Sequence, residues 1–165
     1  MNLEKVEYAH ICDFRQMVEA YWQELMPHSD ILKNHESREA YFQERFAFGD
    51  GDLRLCWGVI DGRKIGFVAF VMNEAKHSAM IEDFFVAPEF RRQGYGTAMV
   101  RAVFAKLDQL GVELVELNVR RDNPQALAFW EVQGFRIALH RLRQFRDPEH
   151  GTAYIGALSS DFRGE

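Results

Sequence analysis

Residues 86–97 have the sequence VAPEFRRQGYGT, and this stretch decides the fold. The apolar segment before it predicts a strand that ends at Ala87-Pro88, because the residue before a proline is kept out of the helical region. A helix is predicted to begin at about Gly94. Glycines at such a junction let several N–H groups face one point, where the helix N-terminus adds partial positive charge. The stretch predicts an anion site that a pyrophosphate would fit. The alternative is that the glycines serve only tight packing, since the lysine of a P-loop is missing.

The rest of the chain predicts an α+β fold with two helices early and two later. Apolar residues at three- and four-residue spacing predict the first helix, which stops before Pro27, and a second helix is expected to follow Ser37. Residues 53–60 and 65–72 flank Asp61-Gly62 and predict a β-hairpin.

Later segments predict a strand over residues 115–119 and a helix that Asn123 caps, with Pro124 at its first position. Two more strands are expected within the tail from Phe135 to Ser159. The total is a mixed, mostly antiparallel sheet of six to seven strands with about four helices.

Composition limits the classes of protein to which the chain can belong. Its 165 residues are 47% hydrophobic and 27% charged, which predicts a single domain over residues 1–165. A net charge of −5 argues against nucleic-acid binding, and the arginines between residues 136 and 146 are the weaker alternative for a polyanion contact.

Cys12 and Cys56 suggest neither a disulfide framework nor a metal site. A polar N-terminal segment and short apolar runs predict a cytoplasmic protein with no membrane contact.

Residues 123–135, NPQALAFWEVQGF, form a second motif. Together with Arg91-x-x-Gly94-x-Gly96 after a strand, this motif resembles the GNAT superfamily of N-acetyltransferases. The two motifs cover Ile81 to Phe135, and their order and spacing match the family. The resemblance implies a GNAT-like fold that binds acetyl-CoA, with the pyrophosphate on the glycine loop and the pantetheine along the strand. It places these residues on the cofactor: Phe85, Val86, Arg91, Arg92, Gln93, Gly94, Tyr95, Gly96, Thr97, Asn123, Phe129 and Trp130. Without the resemblance, Asn123-Pro124 is simply a good helix start.

Glu82 and Asp83 are adjacent carboxylates in an otherwise apolar predicted strand. Alternation predicts that they face opposite ways, with Glu82 on the face of Val86. Residues 82–86, EDFFV, are similar to the polyamine and diamine acetyltransferase branch, in which the matching Glu takes a proton from the amine through water. The resemblance makes Glu82 the candidate base, and a salt bridge or a substrate anchor is the alternative. The Val86 N–H is expected to hold the oxyanion, and Asp83 and Trp22 are further candidate substrate contacts.

The chemistry needs a base because alkylammonium groups have a pKa near 10.4, so only about one in 10³ is the free amine at neutral pH. Where the family usually has a Tyr that protonates the leaving thiolate, this chain has Trp130, whose indole N–H does not release a proton. Either another group donates, or the thiolate leaves unprotonated, which a thiol pKa of about 8.5 makes tolerable. Trp130 could equally shape the acceptor pocket or pack in the core.

The expected function is acetyl transfer from acetyl-CoA to a primary amine, by direct attack in a ternary complex. The acceptor would be a small polyamine-like molecule or an exposed amino group. The alternative is a CoA-binding sensor or regulatory module that has lost turnover. We also expect a homodimer, since apolar strand edges in the tail would need cover.

Overall fold

The computed structural model describes residues 1–46 and 52–139, and these residues form an α+β fold. The elements in chain order are β1 (Asn2–Lys5), α1 (Ile11–Leu25), α2 (His35–Arg45), β2 (Arg54–Ile60), β3 (Arg63–Asn73), β4 (Ser78–Val86), α3 (Tyr95–Gln109), β5 (Leu114–Leu117) and α4 (Pro124–Val132). The prediction of about four helices is confirmed. In the part of the chain that the structure describes, no helix is long and apolar enough to cross a membrane.

One mixed sheet contains five strands in the order β1-β2-β3-β4-β5. The first four are antiparallel neighbours, and β5 is parallel to β4. The prediction of six to seven strands is not matched. β1 was not predicted, and residues 135–139 are not a strand because the Phe135 N–H closes the turn after α4 by donating to the Trp130 carbonyl. The rest of the predicted tail strands, residues 140–159, lies outside the described residues.

Local signals place most element ends correctly. The hairpin between β2 and β3 turns at Asp61 and Gly62, which have positive φ angles of 48° and 74°. α2 begins before the predicted Ser37, because the Asn34 side chain accepts the Ser37 N–H at 2.8 Å and stabilises an earlier start. β5 ends at Leu117, two residues before the predicted end.

The chain groups into two compact units, and each is described by itself. The first contains Met1–Tyr21 and Arg45–Asn118, and the second contains Trp22–Glu44 and Val119–Glu165, of which residues 119–139 are described. The whole sheet and α3 belong to the first unit.

Both faces of the sheet are covered in the first unit. Phe14 of α1 makes edge contacts with Trp57 of β2 and Phe67 of β3, at centroid distances of 5.4 and 5.2 Å. Met99 of α3 lies against Gly58, where a Cβ would come within 2.6 Å of the Met99 sulfur. Since Trp57 and Gly58 are adjacent in one strand, the two contacts are on opposite faces. The sheet therefore lies between α1 and α3.

Aromatic contacts hold the described parts of the second unit. The Trp22 ring packs on Tyr41 and Phe42, at 4.9 and 6.2 Å between centroids. The Trp130 ring contacts Phe129 and Phe135, at 5.0 and 5.1 Å. Both indoles are buried.

Candidate active site

β4 is paired along its full length on one side only. On the β3 side the ladder runs from Ser78 to Val86. On the other side the parallel ladder with β5 covers Ser78 to Ile81 and then stops. Within the described residues, the segment from Glu82 to Val86 therefore has no neighbouring strand on that side. We call this side of residues 82–86 the open edge.

The backbone of Val86 faces the open edge. The Ala87 N–H donates to the Ile65 carbonyl on the β3 side, at 2.9 Å. Because N–H directions alternate along a strand, the N–H groups of Phe84 and Val86 face away from β3. The Val86 carbonyl accepts a hydrogen bond from Arg91 Nε at 2.7 Å. The Val86 N–H therefore faces the open edge, and its role as oxyanion donor stays a prediction.

The loop between β4 and α3 has the backbone that an anion site needs. Arg92 and Gly94 have positive φ angles of 59° and 80°, and Gly94 is the N-cap of α3. Gly94 has no side chain with which to cap the helix, and the first N–H groups of any helix lack an intrahelical acceptor. A Cβ built on Gly94 would meet no heavy atom of the described residues within 4 Å. Positive-φ residues before a helix N-terminus can turn successive N–H groups toward one point, and we call this loop from Arg92 to Tyr95 the nest.

The long side chains of this loop fold back onto it. The Arg91 guanidinium lies 5.2 Å from the Phe85 ring centroid while its Nε bonds the Val86 carbonyl. Gln93 Nε2 donates to the Glu89 carbonyl at 2.9 Å. The Arg91 contacts tie the loop to the end of β4, and the Gln93 bond lies within the loop itself.

The two carboxylates of β4 lie on a β-bulge. Ala69 of β3 is opposite Asp83 and Phe70 is opposite Ile81, so Glu82 is an extra residue in the ladder. A bulge breaks the alternation of side chains because two residues share the place of one. Arg45 Nη2 donates to Asp83 Oδ2 at 2.7 Å and to Glu82 Oε2 at 3.2 Å. The prediction that the two carboxylates face opposite ways is therefore wrong.

Asp83 is the buried member of this pair. Its side chain is 7% exposed, against 33% for Glu82. The Tyr21 hydroxyl of α1 donates to Asp83 Oδ1 at 3.1 Å. Burial raises the pKa of Asp83 above its usual value, and the Arg45 charge and the Tyr21 hydrogen bond act against that rise. We call Tyr21, Arg45, Glu82 and Asp83 the carboxylate cluster.

Sequence analysis missed Arg45 and Tyr21 as members of the cluster. Tyr21 lies at the helical spacing of the apolar residues of α1, and Arg45 is the last residue of α2. Both residues are far from Asp83 in the sequence: Tyr21 precedes it by 62 positions and Arg45 by 38. The one signal that could have found them is chemical: a buried carboxylate in an apolar strand needs a partner.

Gly96 and Thr97 lie in the first turn of α3, and four predicted residues belong to the second unit: Trp22, Asn123, Phe129 and Trp130. Asn123 caps α4, with its side chain accepting the Ala126 N–H at 3.0 Å, and Pro124 stands at the first position. The buried ring contacts of Trp22 and Trp130 are those of core residues. The roles of Asn123, Phe129 and Trp130 toward the cofactor, and of Trp22 toward the substrate, stay predictions.

An α+β protein with an open strand edge beside an N–H nest matches a known family. Residues 14–135 match the sequence profile of the Acetyltransferase (GNAT) family. The chain belongs to this family, and the resemblance is confirmed.

Individual relatives match over shorter stretches. The chain is 28% identical over 99 residues to the ribosomal protein bS18-alanine N-acetyltransferase of Escherichia coli K12, covering 60% of this chain and 66% of the relative. It is 37% identical over 76 residues to the L-ornithine N5-acetyltransferase of Arabidopsis thaliana, covering 44% of this chain and 33% of the relative. The aligned stretch is thus less than two thirds of either relative.

Solved structures match over most of the chain. The PaiA N-acetyltransferase of Thermoplasma acidophilum, solved in complex with coenzyme A, aligns with a TM-score of 0.65 at 15% identity, covering 83% of this chain and 90% of that one. At this identity the match establishes the fold.

Proposed function

We propose that the protein transfers the acetyl group of acetyl-CoA to a primary amine, by direct attack in a ternary complex. The observation that carries the proposal is the open edge of β4 from Glu82 to Val86, which leads directly into the nest before α3. Membership of the GNAT family supports the same chemistry.

The residues of the first unit fit acetyl-CoA. The pantetheine contains amide groups, and an extended amide chain can add to a strand edge that lacks a partner. The Phe84 and Val86 N–H groups face that edge. The open space in front of Gly94 fits a pyrophosphate, whose charge the α3 N-terminus would stabilise. When bound, acetyl-CoA supplies an activated acyl group as a thioester.

Glu82 is the proposed base. Its partly exposed carboxylate can accept a proton from the acceptor ammonium through a bridging water and pass it to solvent. The Val86 N–H would donate to the thioester oxygen as negative charge develops there. The similarity of residues 82–86 to the polyamine and diamine branch supports this assignment of Glu82.

The proposed acceptor is a small primary amine or an exposed amino group. By their names, the relatives act on an alanine of a ribosomal protein and on L-ornithine, and a third relative, from Nocardia farcinica, acts on L-2,4-diaminobutyric acid. All three acceptors carry an amino group. A protein of net charge −5 also suits a cationic acceptor.

One observation favours the second candidate, a CoA-binding sensor or regulatory module. Trp130 stands where the family usually has a Tyr acid, and its indole is buried between Phe129 and Phe135. In the enzyme that we propose, the thiolate leaves unprotonated or takes its proton from another group.

Release of free thiol separates the two candidates. The protein is mixed with acetyl-CoA and a panel of amines that includes diamines, ornithine and an alanine-terminated peptide. Thiol release above the rate of the protein-free mixture supports the enzyme. A protein that acetyl-CoA stabilises thermally but that releases no thiol with any amine supports the sensor.

We further propose that the chain forms one domain and a homodimer in the cytoplasm, without a nucleic-acid or membrane partner. The low isoelectric point of about 5.7 supports the absence of a nucleic-acid partner.

A further inference from the structure

Arg45 is the cation of the carboxylate cluster, and a single nitrogen, Nη2, contacts both Glu82 and Asp83. Its own side chain is 26% exposed, so it is more shielded from solvent than a surface arginine. Its guanidinium carbon also lies 5.8 Å from the Phe46 ring centroid. Arg45 therefore occupies one defined place beside the proposed base.

The groups that face the two carboxylates come from three elements. α1 contributes the Tyr21 hydroxyl, and the end of α2 contributes Arg45. β3 contributes apolar residues opposite the bulge, and β5 has ended before it. Within the described residues, Arg45 is the positive charge bonded to Glu82 and Asp83.

Two adjacent carboxylates cannot both ionise easily without such a charge. Like charges at short range raise one pKa of the pair, and the protons then leave in two steps that belong to the pair as a whole. Burial of Asp83 adds to the difficulty, since it disfavours the ionised form. The positive charge of the Arg45 guanidinium opposes both effects. It is present throughout the physiological pH range, because the guanidinium is not deprotonated there.

The bond to Arg45 uses one of the two carboxylate oxygens of Glu82 and leaves the other for a proton transfer. Arg45 bonds Oε2 of Glu82, and Oε1 has no partner within the described residues. Resting on the proposed function, we propose that Arg45 is a positioning residue that keeps Glu82 and Asp83 ionised together and fixes Glu82 with Oε1 toward the acceptor. The proton then passes from the acceptor ammonium to Glu82 and from Glu82 to solvent, while Asp83 stays bound to Arg45 and Tyr21 and takes no part.

The test replaces Arg45 and follows the carboxylates directly. Protein with ¹³C-labelled Asp and Glu carboxyl groups is titrated by NMR, with E82Q and D83N used to assign the two signals. R45Q and R45M are two independent neutral variants, and R45M keeps the aliphatic stem that reaches the cluster. We expect the apparent pKa values of the pair to rise by about one unit or more in both variants. R45K should lie between these variants and the wild type.

K64Q is the matched control. Lys64 is 29% exposed and pairs with Asp13 at 2.8 Å, so K64Q also loses one partly shielded ion pair of the first unit. Its titration of Glu82 and Asp83 should equal that of the wild type. In the amine assay, the acidic limb of kcat/KM should move to higher pH in R45Q and R45M by the same amount as the NMR titration. Activity should recover at alkaline pH, whereas K64Q should not move this limb.

Two results would overturn the inference. The first is a titration of Glu82 and Asp83 that is unchanged in whichever neutral variant folds. The second is a higher KM in R45Q only for acceptors that carry a carboxylate, with the titration unchanged, which would make Arg45 an acceptor anchor. The NMR titration needs no turnover. Absence of thiol release by the wild type would therefore count against the proposed function alone.

Discussion

Glu82 owes its surroundings to one extra residue in the ladder of β4. In a regular strand it would face away from Asp83, and no single side chain could bond both. The bulge brings both carboxylates to Arg45 and leaves Glu82 the more exposed of the two. A proton acceptor and a buried anchor are therefore next to each other in the sequence but differ in their contact with water.

Replacing Glu82 with Gln tests the proton path. We expect E82Q to lower the rate more for strongly basic amines than for weakly basic ones, because a weakly basic amine already has a free lone pair at neutral pH. Raising the pH toward the pKa of the amine should restore much of the lost rate. The measurement is a pH–rate profile of thiol release for several amines.

Acetyl-CoA binding is the control for E82Q, since Gln has nearly the shape of Glu and only the chemical step should change. Profiles of E82Q and wild type that coincide for every amine would remove Glu82 as the base.

The stability of the D83N variant should depend on pH in a defined direction. The pKa of Asp83 is raised in the folded state, so the folded protein binds this proton more tightly than the unfolded chain. The protonated Asp83 therefore adds to the stability of the wild type at a pH below the pKa of this residue in the unfolded chain. This added stability is lost as the pH rises through the higher pKa of Asp83 in the folded protein. An Asn at this position stays neutral at every pH. The melting temperature of D83N minus that of the wild type should therefore increase from about pH 4 to neutral pH.

Melting curves of D83N and the wild type across this pH range check the prediction. A difference that shrinks as the pH rises would mean that Arg45 and Tyr21 outweigh the burial of Asp83.

At the scale of elements, the loop before α3 can be tested with a matched pair of glycines. Gly94 and Gly62 both have positive φ angles, 80° and 74°, and a Cβ on either meets no described atom within 4 Å. Valine at either position should cost a similar backbone strain of about 1–2 kcal/mol or more. Only at Gly94 would the side chain enter the place proposed for the pyrophosphate.

Thermal shift with acetyl-CoA is the measurement for this pair. The wild type and G62V should gain about 2.7 kcal/mol at a hundredfold excess of ligand over its Kd, whereas G94V should gain little. We expect the same loss in G96V, whose substitution lies in the first turn of α3. Full stabilisation of both G94V and G96V would contradict the nest as the cofactor site.

The elements that the sequence predicted well are those with local causes. Asp61-Gly62 sets the hairpin turn, Asn123-Pro124 starts α4, and Gly94 starts α3 within one residue of the predicted place. The features that it could not predict depend on contacts between distant residues. The bulge at Glu82 comes from the register of β4 against β3, and the bond from Arg45 to Asp83 spans 38 positions. Within the candidate site, the sequence motifs indicate Glu82, Asp83 and the loop before α3, but they do not indicate the partners Arg45 and Tyr21.

At the scale of the whole molecule, we expect a homodimer. Apolar strand edges in the tail from Phe135 to Ser159 were the predicted reason, and residues 135–139 are not a strand, but there Ile137 and Leu139 are 61% and 63% exposed. Exposed large apolar side chains favour cover by another surface. Light scattering at micromolar concentration should give twice the mass of one chain, and a mass equal to one chain would contradict the prediction.

The open edge also has a consequence for aggregation. Unpaired N–H and C=O groups along a strand are a template onto which a strand of another molecule can add, and such addition is how many aggregates begin. Here the template is short, because it runs only from Glu82 to Val86. A charged carboxylate stands at one end, and at the other Arg91 already occupies the Val86 carbonyl. A short edge with both ends occupied in this way is a poor template for a strand of a second molecule, and it is the same edge that we propose for the pantetheine.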